Sequence, residues 1–236
     1  MTDDLRIVTA GAPLAPVEPA ALLVDKPDGM SSFGVVKAVR RAVGVKKVGH
    51  AGTLDPMATG LLIVLVGRGA TRQQDRFMGL PKTYTATIRL GQTTPSYDAD
   101  SEVETTVDAS GVTDDAIEAA LAAFRGDIQQ RPPAYSAIKR GGERLYKKAR
   151  RGEEVVVEPR ATTVYAFDVV ERRGDDLDVR VECSKGTYVR SLGHDLGQAL
   201  GVGGHLVALR REAIGPFQAA EAWALGALED AADTRP

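Results

Sequence analysis

The chain has 236 residues, of which 43% are hydrophobic and 26% charged, with 30 Lys and Arg against 32 Asp and Glu for a formal net charge of −2. That is the composition of a globular protein, no apolar run approaches the roughly 18 residues that span a membrane, and Met1-Thr2-Asp3-Asp4 lacks the basic start of a signal peptide, so a cytoplasmic location is expected. A lone cysteine, Cys183, excludes an internal disulfide, and three scattered histidines (His50, His194, His205) give no metal-ligand spacing.

Residues 1–19, rich in Pro and Gly, are expected to form a flexible leader. Ala20–Val24 reads as a buried strand. Ser32 is placed to cap a helix over Phe33–Val43, with Phe33, Val36, Val39 and Val43 at helical spacing and Gly44 as its stop. A glycine-rich loop, Gly49–Gly60, leads into the apolar run Leu61–Val66, a second buried strand. Ala70–Met78 reads as a short helix. In Lys82–Leu90, Tyr84, Ala86, Ile88 and Leu90 alternate with Thr83, Thr85, Thr87 and Arg89, as in a half-buried strand. Thr113–Phe124 is an amphipathic helix, and Gly141-Gly142 opens a basic helix to about Arg151. Three strands are expected over Glu153–Glu158, Thr162–Glu171 and Leu177–Ser184, with Cys183 as a small buried residue. A helix from Gly186-Thr187 to Leu200 is broken by Gly201 and Gly203-Gly204 before His205–Arg211, and a last helix is expected around Gln218–Leu228. Strands and helices mix without regular βαβ alternation. The expected class is therefore α+β, a mixed, mainly antiparallel sheet flanked by helices, in one domain over residues 20–217.

The small net charge argues against a nucleic-acid partner until its distribution is considered. Eight acidic residues and no basic one lie between Asp98 and Glu118, whereas seven basic residues fall in the thirteen from Lys139 to Arg151. Lys37, Arg40, Arg41, Lys46 and Lys47 form a second basic group just before the glycine-rich loop. Each cluster is either a solvated helix face or a grip for phosphates, and two of them around one loop favour the second reading.

Within that loop, Asp55 is followed by Pro56. Asp-Pro is a common helix start, with Asp as N-cap and Pro in the first turn. The same residues also suit a reactive carboxylate on a permissive loop anchored by a strand. The whole string Gly49-His50-Ala51-Gly52-Thr53-Leu54-Asp55-Pro56-Met57-Ala58-Thr59-Gly60 resembles the catalytic motif of the bacterial tRNA pseudouridine-55 synthases, the TruB family. Further segments resemble the same family in the same order. They are Lys26-Pro27-Asp28-Gly29-Met30-Ser31-Ser32, Lys82-Thr83-Tyr84, Tyr97-Asp98-Ala99-Asp100 and Gly186-Thr187-Tyr188-Val189-Arg190, followed by Gly203-Gly204-His205-Leu206 and Leu209-Arg210-Arg211.

The resemblance implies the pseudouridine synthase catalytic fold and an isomerase: uridine in the T-loop of tRNA is detached from its ribose, turned and rejoined through carbon, with the base flipped out of the loop. No cofactor and no metal are implied. The resemblance assigns catalytic roles to Asp55, to Arg190 as its ion-pair partner, and to Tyr84, which stacks on uracil and is a candidate base. It places substrate contacts at His50, Asp98, Tyr188, Leu209 and Lys26. Lys147, Lys148 and Arg151 are candidates for gripping the RNA backbone of the T-arm. Read locally, Tyr84 is a core aromatic, Arg190 a surface helix arginine and Leu209 an apolar residue. The neighbourhood of Asp98 departs from the family, with Pro95-Ser96-Tyr97 before it and Ser101 after Asp100. Only nineteen residues follow Phe217, so residues 218–236 are expected to form a short helix and tail without an additional C-terminal RNA-binding domain, and a monomer is expected. The competing reading is an RNA-folding module in which Asp55 is only a loop cap. A hydrolytic glycosidase, with Asp98 as a second carboxylate, is a third.

Overall fold

The computed structural model describes residues 5–14, 19–136, 139–140, 143–145, 151, 153 and 157–233. In chain order the elements are β1 (Arg6–Val8), β2 (Ala20–Lys26), α1 (Ser32–Val43), β3 (Val48–Ala51), β4 (Thr59–Val66), α2 (Gly67–Thr71), α3 (Gln74–Met78) and β5 (Lys82–Leu90). They continue with β6 (Gln92–Thr93), β7 (Thr105–Thr106), α4 (Asp114–Ala122), β8 (Gly126–Gln130), β9 (Lys139–Arg140), β10 (Glu143–Arg144), β11 (Arg160–Arg173) and β12 (Asp176–Cys183). The last are α5 (Val189–Ala199), β13 (Gly204–Ile214), β14 (Phe217–Gln218), a 3₁₀ turn (Ala219–Glu221), β15 (Trp223–Ala224) and α6 (Leu225–Asp233). The chain divides into two compact units, one of Met1–Tyr84 with Leu209–Pro236 and the other of Thr85–Ala208. Among the described residues no helix is long and apolar enough to cross a membrane.

In the first unit β4 pairs antiparallel with β2 and with β3, and its first residues pair in parallel with β13 (Arg210 opposite Thr59, Arg211 opposite Gly60). The run Leu61–Val66 is apolar without alternation because both faces of β4 are covered. Leu62, Val64 and Val66 pack with Val35, Val36 and Val39 of α1 and with Trp223 and Leu228, while Leu61, Ile63 and Leu65 pack with Phe77 and Ile214. Gly60 sits at φ +96°, and a Cβ there would fall 2.3 Å from the carbonyl oxygen of Arg211. Glycine is what lets the β4 and β13 backbones approach at this point.

Several element ends differ from the sequence expectations. The cap of α1 is Ser31, whose Oγ accepts from the Gly34 N–H at 3.0 Å; Ser32 is inside the helix and buried. Phe33 is 55% exposed, so the buried stripe runs through Val35, Val36, Val39 and Val43. Arg6–Val8, within the expected leader, forms β1 in parallel with β2. The Ala70–Met78 segment is split into α2 and α3. The expected last helix begins only at Leu225, because Trp223–Ala224 is drawn into pairing with Val24 and Asp25 of β2. A pairing partner distant in sequence overrides the local helical pattern there.

The second unit carries the order β5-β12-β11-β8, with β11 antiparallel to both β12 and β8. The expected alternation on β5 is present: Tyr84, Ala86, Ile88 and Leu90 are buried. Cys183 is buried at the end of β12. α5 starts at Val189 rather than at Gly186-Thr187, since Gly186 takes φ +82° and Tyr188 stays extended as the N-cap. At its other end the backbone of Gly203 and Gly204 passes so close to Gly197 that a Cβ there would lie 2.2 Å from it. At the start of the basic segment, β9 and β10 form a short antiparallel pair where residues 143–144 were expected to be helical; residues 146–150 lie outside the described residues. Glu153–Glu158 is described only in part, and Val157 and Glu158 are not in a strand. The strand pairings and helices together make an α+β protein with a mixed, mainly antiparallel sheet.

Candidate active site

Asp55 stands on a turn between β3 and β4. The Ala58 N–H donates to the Asp55 carbonyl at 3.1 Å, with Pro56 at the second position, where its fixed φ suits a turn. The chain then enters β4, not a helix, so the helix-cap reading of Asp55 is overturned. The pull of β2 and β3 on β4 decides it, since every residue from Gly60 to Val66 has a strand partner in β2. The Asp55 side chain is half-buried.

Three side chains fix that turn. Lys26 is fully buried, and its Nζ donates to the carbonyls of Pro27 at 2.8 Å, Met30 at 2.6 Å and Pro56 at 2.9 Å, joining the loop after β2 to the residue after Asp55. Ser32 Oγ accepts from the Leu54 N–H at 2.8 Å and donates to the Leu54 carbonyl at 3.0 Å, holding the residue before Asp55. Arg211, 1% exposed, donates from Nε to Leu61 O at 2.7 Å and from Nη2 to Gly52 O at 3.1 Å. A carbonyl oxygen that receives a charged donor is held more firmly than one left to water, so the loop is anchored before, at and after the carboxylate. Ser32 and Arg211 were not singled out by sequence reasoning as loop supports. Their signal lay in the motif segments that contain them, which were read as markers of family and not as geometry.

His50, on β3, is half-buried. Burial first, and the Arg211 charge second, hold its pKa below the usual histidine value, so the ring is neutral at pH 7. Tyr84 on β5 and Leu209 on β13 are each 8% exposed. Lys82, two residues before Tyr84, is buried and gives its Nζ to the carbonyls of Met78 and Leu80, at 2.6 and 2.5 Å.

In the second unit Arg190 is the second residue of α5 and is 4% exposed. Its Nη1 lies 3.3 Å from Asp98 Oδ2 and donates to Ser96 O at 2.8 Å, and its Nη2 donates to Tyr135 O at 3.0 Å. The surface-arginine reading is therefore excluded by burial, and Asp98, 2% exposed, is its carboxylate partner within this unit. Asp98 also accepts from Ser96 Oγ and from the Asp100 N–H. Tyr97 has φ +64°, the one non-glycine residue with positive φ among those described, and its ring stacks on His194 with centroids 3.7 Å apart and planes 12° from parallel. The residues that depart from the family pattern around Asp98 thus build its setting instead of removing it. Tyr188 is held by Gln130, whose side-chain amide accepts from the Tyr188 N–H at 2.8 Å and donates to its carbonyl at 3.0 Å. Ser96, Gln130 and Tyr135 were missed by sequence reasoning and carry no motif signal of their own. Arg151 pairs with Glu153 at 2.7 Å on the surface; Lys147 and Lys148 lie outside the described residues. Among the described residues no three His, Cys, Asp or Glu side chains gather as a metal site would require.

Comparison with known proteins gives this arrangement a family. The model of the TruB family pseudouridylate synthase N-terminal domain matches residues 40–189, and that of the tRNA pseudouridylate synthase B C-terminal domain matches residues 190–235. The chain is 52% identical over 217 residues to a protein of Corynebacterium glutamicum (strain R) named tRNA pseudouridine synthase B, covering 90% of this chain and 73% of that one. It is 52% identical over 225 residues to the protein of the same name from Nocardia farcinica, covering 93% and 73%. Among solved structures it is similar to a chain of the archaeal box H/ACA sRNP Nop10-Cbf5 complex, with a TM-score of 0.65 and 30% identity over 89% of this chain and 52% of that one. It is likewise similar to a chain of a Cbf5-Nop10-Gar1 complex, with a TM-score of 0.65 and 33% identity over 84% and 49%. The chain therefore spans about half the length of those two structures' chains and nearly three quarters of the curated relatives, and by its family matches and its identity to them it belongs to the TruB family of pseudouridylate synthases.

Proposed function

We propose that this protein isomerises uridine to pseudouridine in the T-loop of tRNA, at position 55, acting as a cytoplasmic monomer. The observation that carries the reading is the mounting of Asp55: a half-buried carboxylate on a turn whose flanking carbonyls are held by Lys26 and Arg211, in the family's catalytic motif. A carboxylate so fixed suits a reaction that develops positive charge at a sugar carbon, which it stabilises or attacks. The glycosidic bond from N1 to C1′ breaks, the base turns, and a bond from C5 to C1′ replaces it. N1 gains a proton and C5 loses one, so the reaction balances without redox change, net hydrolysis or a cofactor.

In this reading Arg190 is the counter-charge to Asp55, and Tyr84 stacks on the uracil and takes the C5 proton. Leu209, Tyr188 and His50 contact the flipped nucleotide and its loop, Asp98 keeps Arg190 directed, and Lys26 positions the turn. Lys147, Lys148 and Arg151 grip the RNA backbone. The base must leave its stack at a cost of a few kcal/mol, offset by contacts to the loop and backbone.

The test is an unmodified tRNA tritiated at uracil C5. The wild type releases tritium, and Asp55→Asn lowers the rate by at least about a thousandfold, the order of loss expected when an essential transition-state group is removed. Release of free uracil would indicate a glycosidase. Tight RNA binding with neither product would leave the RNA-folding module.

A further inference from the structure

Within the second unit, Tyr97 holds a left-handed backbone, with φ at +64°. That conformation is unfavourable for any residue with a Cβ, so it persists where the surroundings hold it, and such residues cluster at functional sites. The residues on either side of Tyr97 both serve Arg190. The Ser96 carbonyl accepts from Arg190 Nη1 at 2.8 Å, and Asp98 Oδ2 lies 3.3 Å from the same nitrogen. The turn at Tyr97 is what brings a carbonyl and a carboxylate, two residues apart, onto one guanidinium nitrogen.

The Tyr97 ring makes a second attachment to the same helix. It lies on the His194 imidazole with centroids 3.7 Å apart and planes 12° from parallel. His194 follows Arg190 by four positions in α5, so the two stand one turn apart on one face. Ser96–Asp98 therefore grips α5 at successive turns, by charge and carbonyl at Arg190 and by ring at His194. The backbone of the turn is tied separately: the Leu206 N–H donates to the Tyr97 carbonyl at 3.0 Å, and Thr94 Oγ1 to the Asp98 carbonyl at 2.7 Å. Both rings are neutral at pH 7. Burial first, and Asp195 next, raise the pKa of the Tyr97 phenol, and burial lowers that of His194. His194 Nδ1 is buried with no hydrogen-bond partner among the described residues, which leaves the stack to orient the imidazole. Tyr97 falls where this chain departs from the family's motif, so its role does not come with the motif.

We propose that Tyr97, stacked on His194, is a positioning residue for the isomerisation: it locks the Ser96–Asp98 turn onto α5 and so keeps the Arg190 guanidinium in one orientation. The proposal rests on the reading above in which Arg190 is the counter-charge to Asp55. Tyr97 touches neither substrate nor reacting atoms in this account and acts through Arg190. A counter-charge serves the step in which charge develops, so a loosened guanidinium slows the chemical step more than it weakens RNA binding.

The test pairs single-turnover tritium release from unmodified tRNA with tRNA affinity by fluorescence anisotropy, on the full chain. Tyr97→Gly takes the left-handed backbone freely but has no ring, and is expected to slow release by about ten- to hundredfold with affinity kept within about twofold. His194→Ala should do the same, whereas Tyr97→Phe and His194→Phe, which keep a plane to stack on, should stay within about threefold of the wild type. Tyr97→Gly combined with His194→Ala should be no slower than the slower single variant, because both remove one contact. Tyr165→Ala, at an exposed tyrosine of β11, leaves both quantities unchanged. A wild-type rate in Tyr97→Gly overturns the proposal. So does Tyr97→Phe as slow as Tyr97→Gly, which assigns the effect to the hydroxyl, or losses that multiply in the double variant. A loss of affinity as large as the loss of rate overturns it too, since the turn is then a general support. One arm needs no substrate. Solvent exchange of the Arg190 Nη–H groups, followed by NMR in protein labelled with 15N-arginine, should speed up by about tenfold or more in Tyr97→Gly and stay slow in Tyr97→Phe. A wild type that forms no pseudouridine refutes the isomerase reading, and this exchange then decides by itself whether the stack holds the guanidinium: equal rates in wild type and Tyr97→Gly mean that it does not.

Discussion

Buried cations support the Asp55 turn in the first unit and the start of α5 in the second, but by different means. Around Asp55, Lys26 and Arg211 give their donors to backbone carbonyls. Around Arg190, the guanidinium divides its donors between two carbonyls and the carboxylate of Asp98, with both charged partners nearly sealed from water. Carbonyl clamps fix the path of a loop. A buried ion pair fixes the direction of one charge, at the risk that removing either partner strands the other. The first arrangement suits a turn that must present a carboxylate, and the second suits an arginine that must keep one orientation.

The comparison predicts unequal losses. Arg190→Ala leaves the Asp98 charge buried and is expected to cost about 3–5 kcal/mol in urea unfolding, with catalysis abolished. Adding Asp98→Asn should recover part of that loss, since the stranded charge is removed; strictly additive single effects would break the ion-pair account. Arg211→Met strands neutral carbonyl acceptors instead, at Leu61 and Gly52. Its expected cost is smaller, about 1–3 kcal/mol, with a fall in kcat from the loosened Asp55 loop. A cost equal to that of Arg190→Ala would erase the distinction between the two supports.

Two adjacent serines sharpen the comparison further. Ser31 caps α1 through the Gly34 N–H, and Ser32 holds both backbone groups of Leu54 beside Asp55. Each alanine substitution should cost about 1 kcal/mol. Only Ser32→Ala should lower kcat under the proposed function, because only Ser32 reaches the turn that carries Asp55. Equal kcat for the two variants would remove Ser32 from that role.

How much of this was legible in the sequence depends on the length scale of the determinant. β5 was readable residue by residue because alternation is local and Tyr84, Ala86, Ile88 and Leu90 are buried as the pattern requires. The run of β4 announced a strand covered on both faces, and its two core clusters are those faces. α1 was readable to within one residue, the cap falling on Ser31 instead of Ser32 because a buried Ser32 is worth more tied to Leu54. The C-terminal segment was misread for the opposite reason. Trp223 and Ala224 pair with β2, some two hundred positions earlier, and no local pattern reports such a partner. The site divides likewise. Motifs singled out Asp55 and Arg190 as candidates, whereas the complete burial of Lys26 and the closing of Asp98 on Arg190 depend on chain segments brought together only by folding. Lysine and aspartate are among the least buried residue types, so the prior from composition pointed the wrong way.

The smallest expected effect lies on the exposed side of this comparison, where a charge is buried with incomplete compensation. Asp195, on α5 next to the His194 that stacks on Tyr97, has its pKa pushed up to about 6 by burial, against a partial offset from Arg131. The same burial, with Asp195 as the next contributor, raises the Tyr97 pKa. Below the unfolded value near 3.8 both states hold the proton, and above about 6 both have lost it. Between those limits the folded state binds more protons than the unfolded one, so stability falls as pH rises through that window and then levels off. Asp195→Asn keeps the shape and removes the titration. Its melting temperature should exceed that of the wild type by a few degrees at pH 7.5 and converge on it near pH 4, the gain being tempered by the partial exposure of the group. Scanning calorimetry of both proteins across that range decides the matter: a difference independent of pH would mean that Asp195 acts by packing or hydrogen bonding, and that the charge on this face of α5 is as well compensated as the one on Arg190.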